Sequence, residues 1–455
     1  MLATQEMENK VQQTNKLIVG LGQTGLSCLR YFAARNENTI AFDTRKNPPQ
    51  LKQIQSEFPD LKIYTQTIDE NVLENVDEII VSPGVSLELP ILIKGKNLGK
   101  RIIGDMGIFA ELAPAPIIAI TGSNGKSTTT SLVYEILKSA NKKVLMGGNI
   151  GIPVLELLLM PAPDYYVLEL SSFQLETTRN LSAKIAVILN ISEDHMDRYE
   201  SVEHYATSKL AVYENADVGL VNLDDIWCKE NVVVNNNAIG FTMSLPGEKQ
   251  FGICSANNEK WICFGTELIC KASDILMPGE HQQLNALVAV SIAKLLEIDS
   301  ETICEVLKSF KGLEHRTQLV AEINDVQYIN DSKGTNVGAT IAALNGIKSP
   351  IILIAGGEGK GADFSPLASA IKDNVKQLIL IGADASKMEK QFAGLVPIIR
   401  AINLTAAVKQ AQSCAGKGDC VLLSPACASF DMFDNYQHRG QVFMTAVQEL
   451  ANHGK

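Results

Sequence analysis

The stretch AITGSNGKSTTTSL, residues 119–132, continues the apolar run PIIAIT and leads into Leu132, Val133, Ile136 and Leu137 at helical spacing. Glycines at 122 and 125 let the backbone curl, and a helix opening at such a loop presents its N–H groups to an anion. Lys126 stands where an ammonium reaches β- and γ-phosphates, and the hydroxyl of Ser127 or Thr128 suits Mg²⁺. Only Ser123 and Asn124 separate the two glycines, fewer than in the common nucleotide loop. Phosphate binding is the functional reading and a plain strand-to-helix turn the alternative. Glu169, at the end of YYVLEL, is either a metal-binding carboxylate or a solvated strand end. His195 in NISEDHMDRY follows another apolar strand; a lone histidine there is structural or exposed. Lys209, on the predicted helix ATSKLAVYE, reads by pattern alone as a surface lysine.

A second glycine loop lies near the start. Gly20-Leu21-Gly22-Gln23-Thr24-Gly25 follows the strand KLIV and opens an apolar helix, and Asp43 ends another strand farther on. That is the dinucleotide fingerprint with its ribose-binding acid. Alone it suggests a nicotinamide or flavin enzyme, or a tight turn without a ligand. Arg45 suits a phosphate or a uracil-type edge.

These loops need elements to hold them. Three segments each carry short β-branched runs ending in Gly, Ser or Asn: NKLIVGLG onward, APIIAITGSNGKS onward, and VQYINDSKGTN onward. Strands alternating with helical stretches predict parallel α/β units whose ligands gather at strand carboxyl ends. Between about 218 and 280, pieces such as NVVVNN and KWICFGTELIC predict an antiparallel annex without a clear helix. The segment KGLEHRTQ, 311–318, reads as a hinge into the last domain. A chain of 455 residues is long for one core, so two or three domains are expected.

Composition narrows the class. Hydrophobic residues make up 46% and charged residues 20%, an ordinary globular balance, and the net charge of −11 argues against a nucleic-acid partner. The polar start MLATQEMENKVQQTNK lacks the apolar stretch of a secretory leader, and no apolar run reaches the ~18 residues of a membrane span. Nine scattered cysteines without metal-type spacing predict reduced, mostly buried thiols and a cytoplasmic setting.

Together the motifs GLGQTGLSC, DTR, SPG, ITGSNGKST, GGNIG, YVLELSSFQLET, LNISEDHMDRY, SKLAVYENA, GLEHRTQ, INDSKGTNVGAT, GGEGKGADFSPL and LLSPACASFDMF resemble the Mur ligases. These ATP-dependent enzymes add amino acids to a UDP-linked peptidoglycan precursor, and the resemblance is closest to the branch that adds D-glutamate to UDP-N-acetylmuramoyl-L-alanine. It implies three α/β domains: a Rossmann-like UDP-binding domain at 1–102, a central ATP-binding domain with a β-rich annex at 103–312, and a Rossmann-like closing domain at 313–455. The trimmed loop is then an ATP loop of Gly122, Ser123, Asn124, Gly125, Lys126, Ser127 and Thr128, assisted by Asn285, Arg316 and Asp331. The first glycine loop is reassigned from a redox cofactor to UDP, with Thr24, Asp43, Thr44, Arg45 and Gly84, while Asn149 meets the sugar-peptide part.

For the chemistry, the resemblance implies Lys126, His195 and Lys209 as catalytic residues. It places one Mg²⁺ on Ser127 and Glu169, with a second near His195 and a carbamylated Lys209. Thr335, Lys360, Ser429, Phe430 and Tyr436 would form the D-glutamate pocket, with Lys333 beside it. Glu358 stands where the family pattern has Asp, and Phe430 where it has Leu. The expected protein is a cytoplasmic monomer with no membrane partner. Another Mur-type or folate-glutamate ligase, a nicotinamide-dependent dehydrogenase and a non-catalytic nucleotide-binding protein are the competing readings.

Overall fold

A computed structural model describes residues 15–196, 198–231, 237–277 and 279–453. Most of the polar start and most of NVVVNN lie outside the described residues.

The β-branched runs form three sheets. The first is wholly parallel, in the order Lys62–Thr65, Thr39–Asp43, Lys16–Val19, Glu78–Val81, Arg101–Gly104. The central strands Lys16–Val19 and Glu78–Val81 read as continuous apolar runs because helices cover both faces of such a sheet. The break expected between 102 and 103 falls inside the strand Arg101–Gly104, whose pairing carries the first sheet to Gly104.

The second sheet has nine strands. Val144–Gly148, Tyr165–Glu169, Ile117–Thr121, Ala183–Ile188, Val218–Asn222, Ala238–Phe241 and Gln250–Ala256 pair in parallel, in that order. Glu259–Phe264 and Glu267–Lys271 then complete an antiparallel meander. The annex is therefore antiparallel only from residue 250 on, and it contains the helix Ile226–Asn231, which corrects the helix-free expectation. At six residues that helix is too short for its periodicity to register.

In the third sheet Gln318–Ile323 pairs antiparallel with Val326–Asn330. Parallel strands Cys420–Leu423, Ile351–Gly356, Val375–Ile381 and Ile398–Arg400 follow.

The joints between sheets differ in kind. Leu26, Leu29 and Phe32 of the first helix, Gln23–Ala34, share one buried apolar cluster with Phe109, Tyr166 and Leu168 of the second unit. The third sheet packs around two clusters drawn only from its own residues.

The thiols depart from expectation. Cys270 and Cys304 form a disulfide with Cα atoms 5.6 Å apart, because the helix Ser300–Ser309 packs against the strand Glu267–Lys271. Tertiary packing brings the pair together, which linear spacing does not reveal. The other seven cysteines are free, and five of these are buried.

At the first glycine loop, the helix comes so close to the preceding strand that a Cβ on Gly25 would lie 2.0 Å from the Gly20 carbonyl oxygen. Around Gly22 the space is open. Gly25→Ala is expected to cost about 2 kcal/mol or more in thermal unfolding, and Gly22→Ala less than about 1 kcal/mol. Equal losses would show that this close approach is not what requires glycine.

Candidate active site

Three cavities meet where the strand ends of the sheets face one another. The first, about 700 Å³, lies between the first and second sheets. It is lined by Thr24, Asp43, Thr44, Arg45, Gly84 and Asn149, all six residues expected there. The Asp43 carboxylate accepts from the Leu21 and Arg45 N–H groups and from the Arg45 guanidinium at 2.7 Å. Burial opposes its charge, but these donors hold its pKa below the ordinary value. The opposite wall includes Ser171, Phe173 and Gln174. They are set by a capping box in which Ser171 and Gln174 satisfy each other's backbone.

The second is a slot of about 80 Å³ lined by Asn124, Gly125, Thr128, Asn285, Arg316, Asp331 and Lys333. Positive φ at Gly122 and Gly125 turns the loop into the helix Lys126–Ser139, and a Cβ on Gly125 would strike Asn285 Oδ1 at 2.2 Å. The loop is held from below: Asn124 N–H donates to Asn190 Oδ1, and Ser192 N–H to Ser123 Oγ, each at 2.9 Å. Lys126 Nζ donates to its own loop, to the Gly122 and Ser123 carbonyls at 2.8 and 2.9 Å.

The third cavity, about 370 Å³, joins the other two. It shares Asn149 with the first and Asn124, Gly125, Arg316 and Lys333 with the second. Ser123, Lys126, Glu169 and His195 line it together with Thr335, Lys360, Ser429, Phe430 and Tyr436. All five residues expected for the amino acid thus face the phosphate loop. Glu358 is exposed and does not line this chamber, whereas Phe430 does.

Ser127 sits just under the chamber, where Arg316 Nη2 donates to its hydroxyl at 2.6 Å. Glu169 Oε1 accepts from Asn149 Nδ2 at 2.7 Å, while its buried Oε2 has no partner. Burial works against the Glu169 charge, yet Lys126, Arg316, Ser127 and Asn149 keep its pKa below the ordinary carboxylate value. A buried acceptor oxygen beside a hydroxyl is the donor chemistry that Mg²⁺ takes, so these two residues fit the expected metal. Among the described residues no three His, Cys, Asp or Glu cluster as a ready metal cage.

Lys209 overturns its pattern reading. It is 1% exposed, with Nζ 3.4 Å from Thr121 Oγ1 and 4.7 Å from the Tyr205 ring centroid. Burial, then Lys126, push its pKa well below that of an ordinary ammonium, with Asp194 and Glu169 opposing. His195 has positive φ and lies 4.8 Å from the Phe173 ring centroid.

Sequence reasoning passed over Asn336 and Arg439. Asn336 caps the helix Val337–Gly346 and donates to Asp194 Oδ2 at 3.2 Å and Asn124 Oδ1 at 3.3 Å, tying the third unit to the phosphate loop. Burial pushes Asp331 up to about 6 and Lys333, whose ammonium lies 4.0 Å from the Tyr436 ring centroid, down to about 8. Arg439 is buried and donates to Ser332 Oγ and to the carbonyls of Ser332, Cys427 and Ala428 at 2.8–3.2 Å. It joins the two loops that carry Thr335 and Ser429. Its place in a long C-terminal helix gave no local signal, since its partners are backbone oxygens distant in sequence.

Comparison with known proteins defines the class. The chain matches the Mur ligase MurD-like N-terminal domain over residues 14–104, the Mur ligase middle domain over 120–293 and the Mur ligase glutamate ligase domain over 315–427. It belongs to the Mur ligase family and is an ATP-dependent amide-bond-forming ligase.

Within that family it is similar to two proteins named UDP-N-acetylmuramoylalanine–D-glutamate ligase. That of Legionella pneumophila (strain Paris) is 44% identical over 441 residues, 95% of this chain and 99% of the relative. That of Nitrosococcus oceani is 42% identical over 436 residues, covering 95% and 96%. The fold is that of the UDP-N-acetylmuramate–alanine ligase of Thermotoga maritima, with TM-score 0.60 at 16% identity, covering 96% of this chain and 99% of that one. A pseudomurein peptide ligase type C from Methanothermus fervidus aligns with TM-score 0.58 at 19% identity, covering 96% and 100%. Family membership removes the dehydrogenase reading of the first glycine loop.

A lysine cannot reproduce the planar fork of Arg439. Arg439→Lys is expected to lower stability by about 3 kcal/mol and to raise KM for the amino acid. Denaturant unfolding and steady-state kinetics check both, and unchanged values would remove Arg439 from the site's support.

Proposed function

We propose that this chain joins D-glutamate to UDP-N-acetylmuramoyl-L-alanine at the cost of ATP, acting as a cytoplasmic monomer. The observation that carries the reading is the central chamber, which opens on one side to the nucleotide-sugar cleft and on the other to the ATP slot. Only there can a substrate carboxylate, a γ-phosphate and an incoming amine come together.

Two anions must be brought into contact, so the residues supply positive charge and fixed donors. Lys126, now bonded to its own loop, swings onto the γ-phosphate, and Arg316 leaves Ser127 for the same phosphate. Thr128 and the loop N–H groups of Ser123 to Ser127 hold the remaining oxygens, and Asn285 and Asp331 hold the nucleoside. Mg²⁺, when bound, screens phosphate charge, and Ser127 and Glu169 would hold it, with His195 near a second ion. Thr24, Asp43, Thr44, Arg45 and Gly84 orient the uridine diphosphate, and Asn149 aims the alanine carboxylate into the chamber. Attack by that carboxylate on the γ-phosphorus gives an acyl phosphate and ADP. The D-glutamate amine then adds to the acyl carbon, and the tetrahedral intermediate expels phosphate. Lys360, Thr335 and Ser429 bind the two carboxylates of D-glutamate, with Phe430 and Tyr436 as walls.

Lys209 has a chemistry of its own. Burial favours its neutral amine, the form that adds CO₂ to give a carbamate and a proton. The carbamate provides an anionic oxygen between Lys126 and Glu169, suited to a metal. The third unit, attached by polar contacts, closes over the chamber about residues 311–318 and shields the acyl phosphate from water.

Phosphate release from ATP should require both UDP-N-acetylmuramoyl-L-alanine and D-glutamate. L-glutamate, L-alanine and diaminopimelate should fail to substitute. Turnover with one of these instead would keep the ligase chemistry and overturn the amino-acid assignment. Lys360→Ala should raise KM for D-glutamate about 10- to 100-fold, the worth of a hydrogen-bonded charge, while KM for ATP stays unchanged. Enzyme stripped of CO₂ should lose activity and recover it with bicarbonate. Lys209→Ala should be inactive at any bicarbonate concentration, and indifference of the wild type to bicarbonate would discard the carbamate.

A further inference from the structure

The floor of the nucleotide-sugar cleft holds a carboxyl with one oxygen unpartnered. Asp105 opens the helix Asp105–Leu112, lines the cleft and is 3% exposed, and its Oδ1 makes no hydrogen bond. Its neighbours Met106 and Phe109 belong to the apolar core joining the first two sheets. The Cys28 thiol, pushed well up by burial, is raised further by Asp105. Burial likewise moves Asp105 up to about 6. A buried carboxyl oxygen without a donor is costly, and sites retain such groups when a ligand supplies the donor.

Charge accounting points the same way. The other charged side chains lining this cleft are Asp43 and Arg45, and they neutralise each other. Among the described lining residues, Asp105 is therefore the one carboxyl with an uncommitted oxygen. Position narrows the partner. The uridine-diphosphate candidates Thr24, Asp43, Thr44, Arg45 and Gly84 all lie on the first-sheet wall, at strand ends and the helix N-terminus. Asp105 follows the last strand of that sheet, and its Gly104 neighbour bonds to Thr177 O. It therefore stands at the seam with the opposite wall of Asn149, Ser171 and Gln174. A carboxylate beside the diphosphate would repel it, whereas beside the sugar it meets hydroxyl and amide donors.

We propose that Asp105 is a specificity-determining residue for the sugar–alanine half of the nucleotide sugar, its free carboxylate oxygen accepting a hydrogen bond from an N–H or O–H of that half. This rests on the assignment of the cleft to the nucleotide-sugar substrate.

Calorimetric titration with UDP and with UDP-N-acetylmuramoyl-L-alanine separates the two halves. Asp105→Ala should weaken the nucleotide sugar about 10-fold or more, Asp105→Asn less because an acceptor oxygen remains, and UDP should bind both variants as it binds the wild type. KM for ATP and D-glutamate should stay constant, and substrate-free Tm should hold or rise because an unpaired buried carboxyl is gone. Equal weakening of UDP would overturn the assignment to the sugar half. A fall in substrate-free Tm with all three KM values rising together would make Asp105 merely structural. Wild-type protein that binds UDP but not the nucleotide sugar would instead sink the assignment of the cleft, and the proposal with it.

Discussion

Buried basic side chains gathered around the phosphate loop are the constraint on which the rest of the structure depends. Lys126, Arg316 and Lys333 line the chamber with Glu169 and Asp194, Lys209 is buried nearby, and burial lowers the pKa of all three lysines. Desolvated cations are costly to fold around, and partial pairing only partly offsets that cost. On the proposed function, the anionic substrates supply the rest when they bind. Until then the groups bond to themselves: Lys126 to its own loop carbonyls, Arg316 to Ser127 and Lys333 to the Tyr436 ring. On that reading each of these bonds would be exchanged for a contact to phosphate.

That charge also dictates how the units are joined. The cleft between the first two sheets has fixed walls, because the units that form them share a continuous apolar core. The third unit brings Arg316, Lys333, Lys360 and Ser429 to the chamber, and on the proposed function it parts from the second to admit ATP. Its attachment is correspondingly polar, through Arg316 to Ser127 and Asn336 to Asn124 and Asp194. Such bonds exchange with water at little net cost, about 1 kcal/mol each, whereas separating a shared core does not. Stiffness and freedom are thus distributed by the type of contact at each joint.

Local rules made part of this legible. Both glycine loops, the strands before them and the helices after them follow from β-branched runs, glycine placement and helical periodicity. The family resemblance then supplied roles, and the structure gathers Thr335, Lys360, Ser429, Phe430 and Tyr436 round one chamber with Lys126. What remained illegible is what burial decides. Lys209 has the spacing of a surface lysine and becomes buried only when its helix packs beneath the phosphate loop. Arg439 serves carbonyls from two distant loops, and Cys270 meets Cys304 across a helix–strand contact. None of these relations leaves a periodic trace in the chain.

Asp105 extends the same logic from the chamber to the cleft. On the proposed function, the basic groups of the chamber await anions. In the cleft, where Asp43 and Arg45 cancel, one carboxyl oxygen waits for a donor. A nucleotide sugar is anionic at its diphosphate and rich in donors along its sugar, so a site built to hold it in one direction needs opposite polarity at its two ends. Cationic or N–H groups at the glycine loop and a lone acceptor at the seam provide that polarity. A molecule bound in reverse would set its diphosphate against Asp105 and its hydroxyls against Arg45, losing at both ends. Orientation of the carboxylate toward Lys126 then follows from charge as well as from shape.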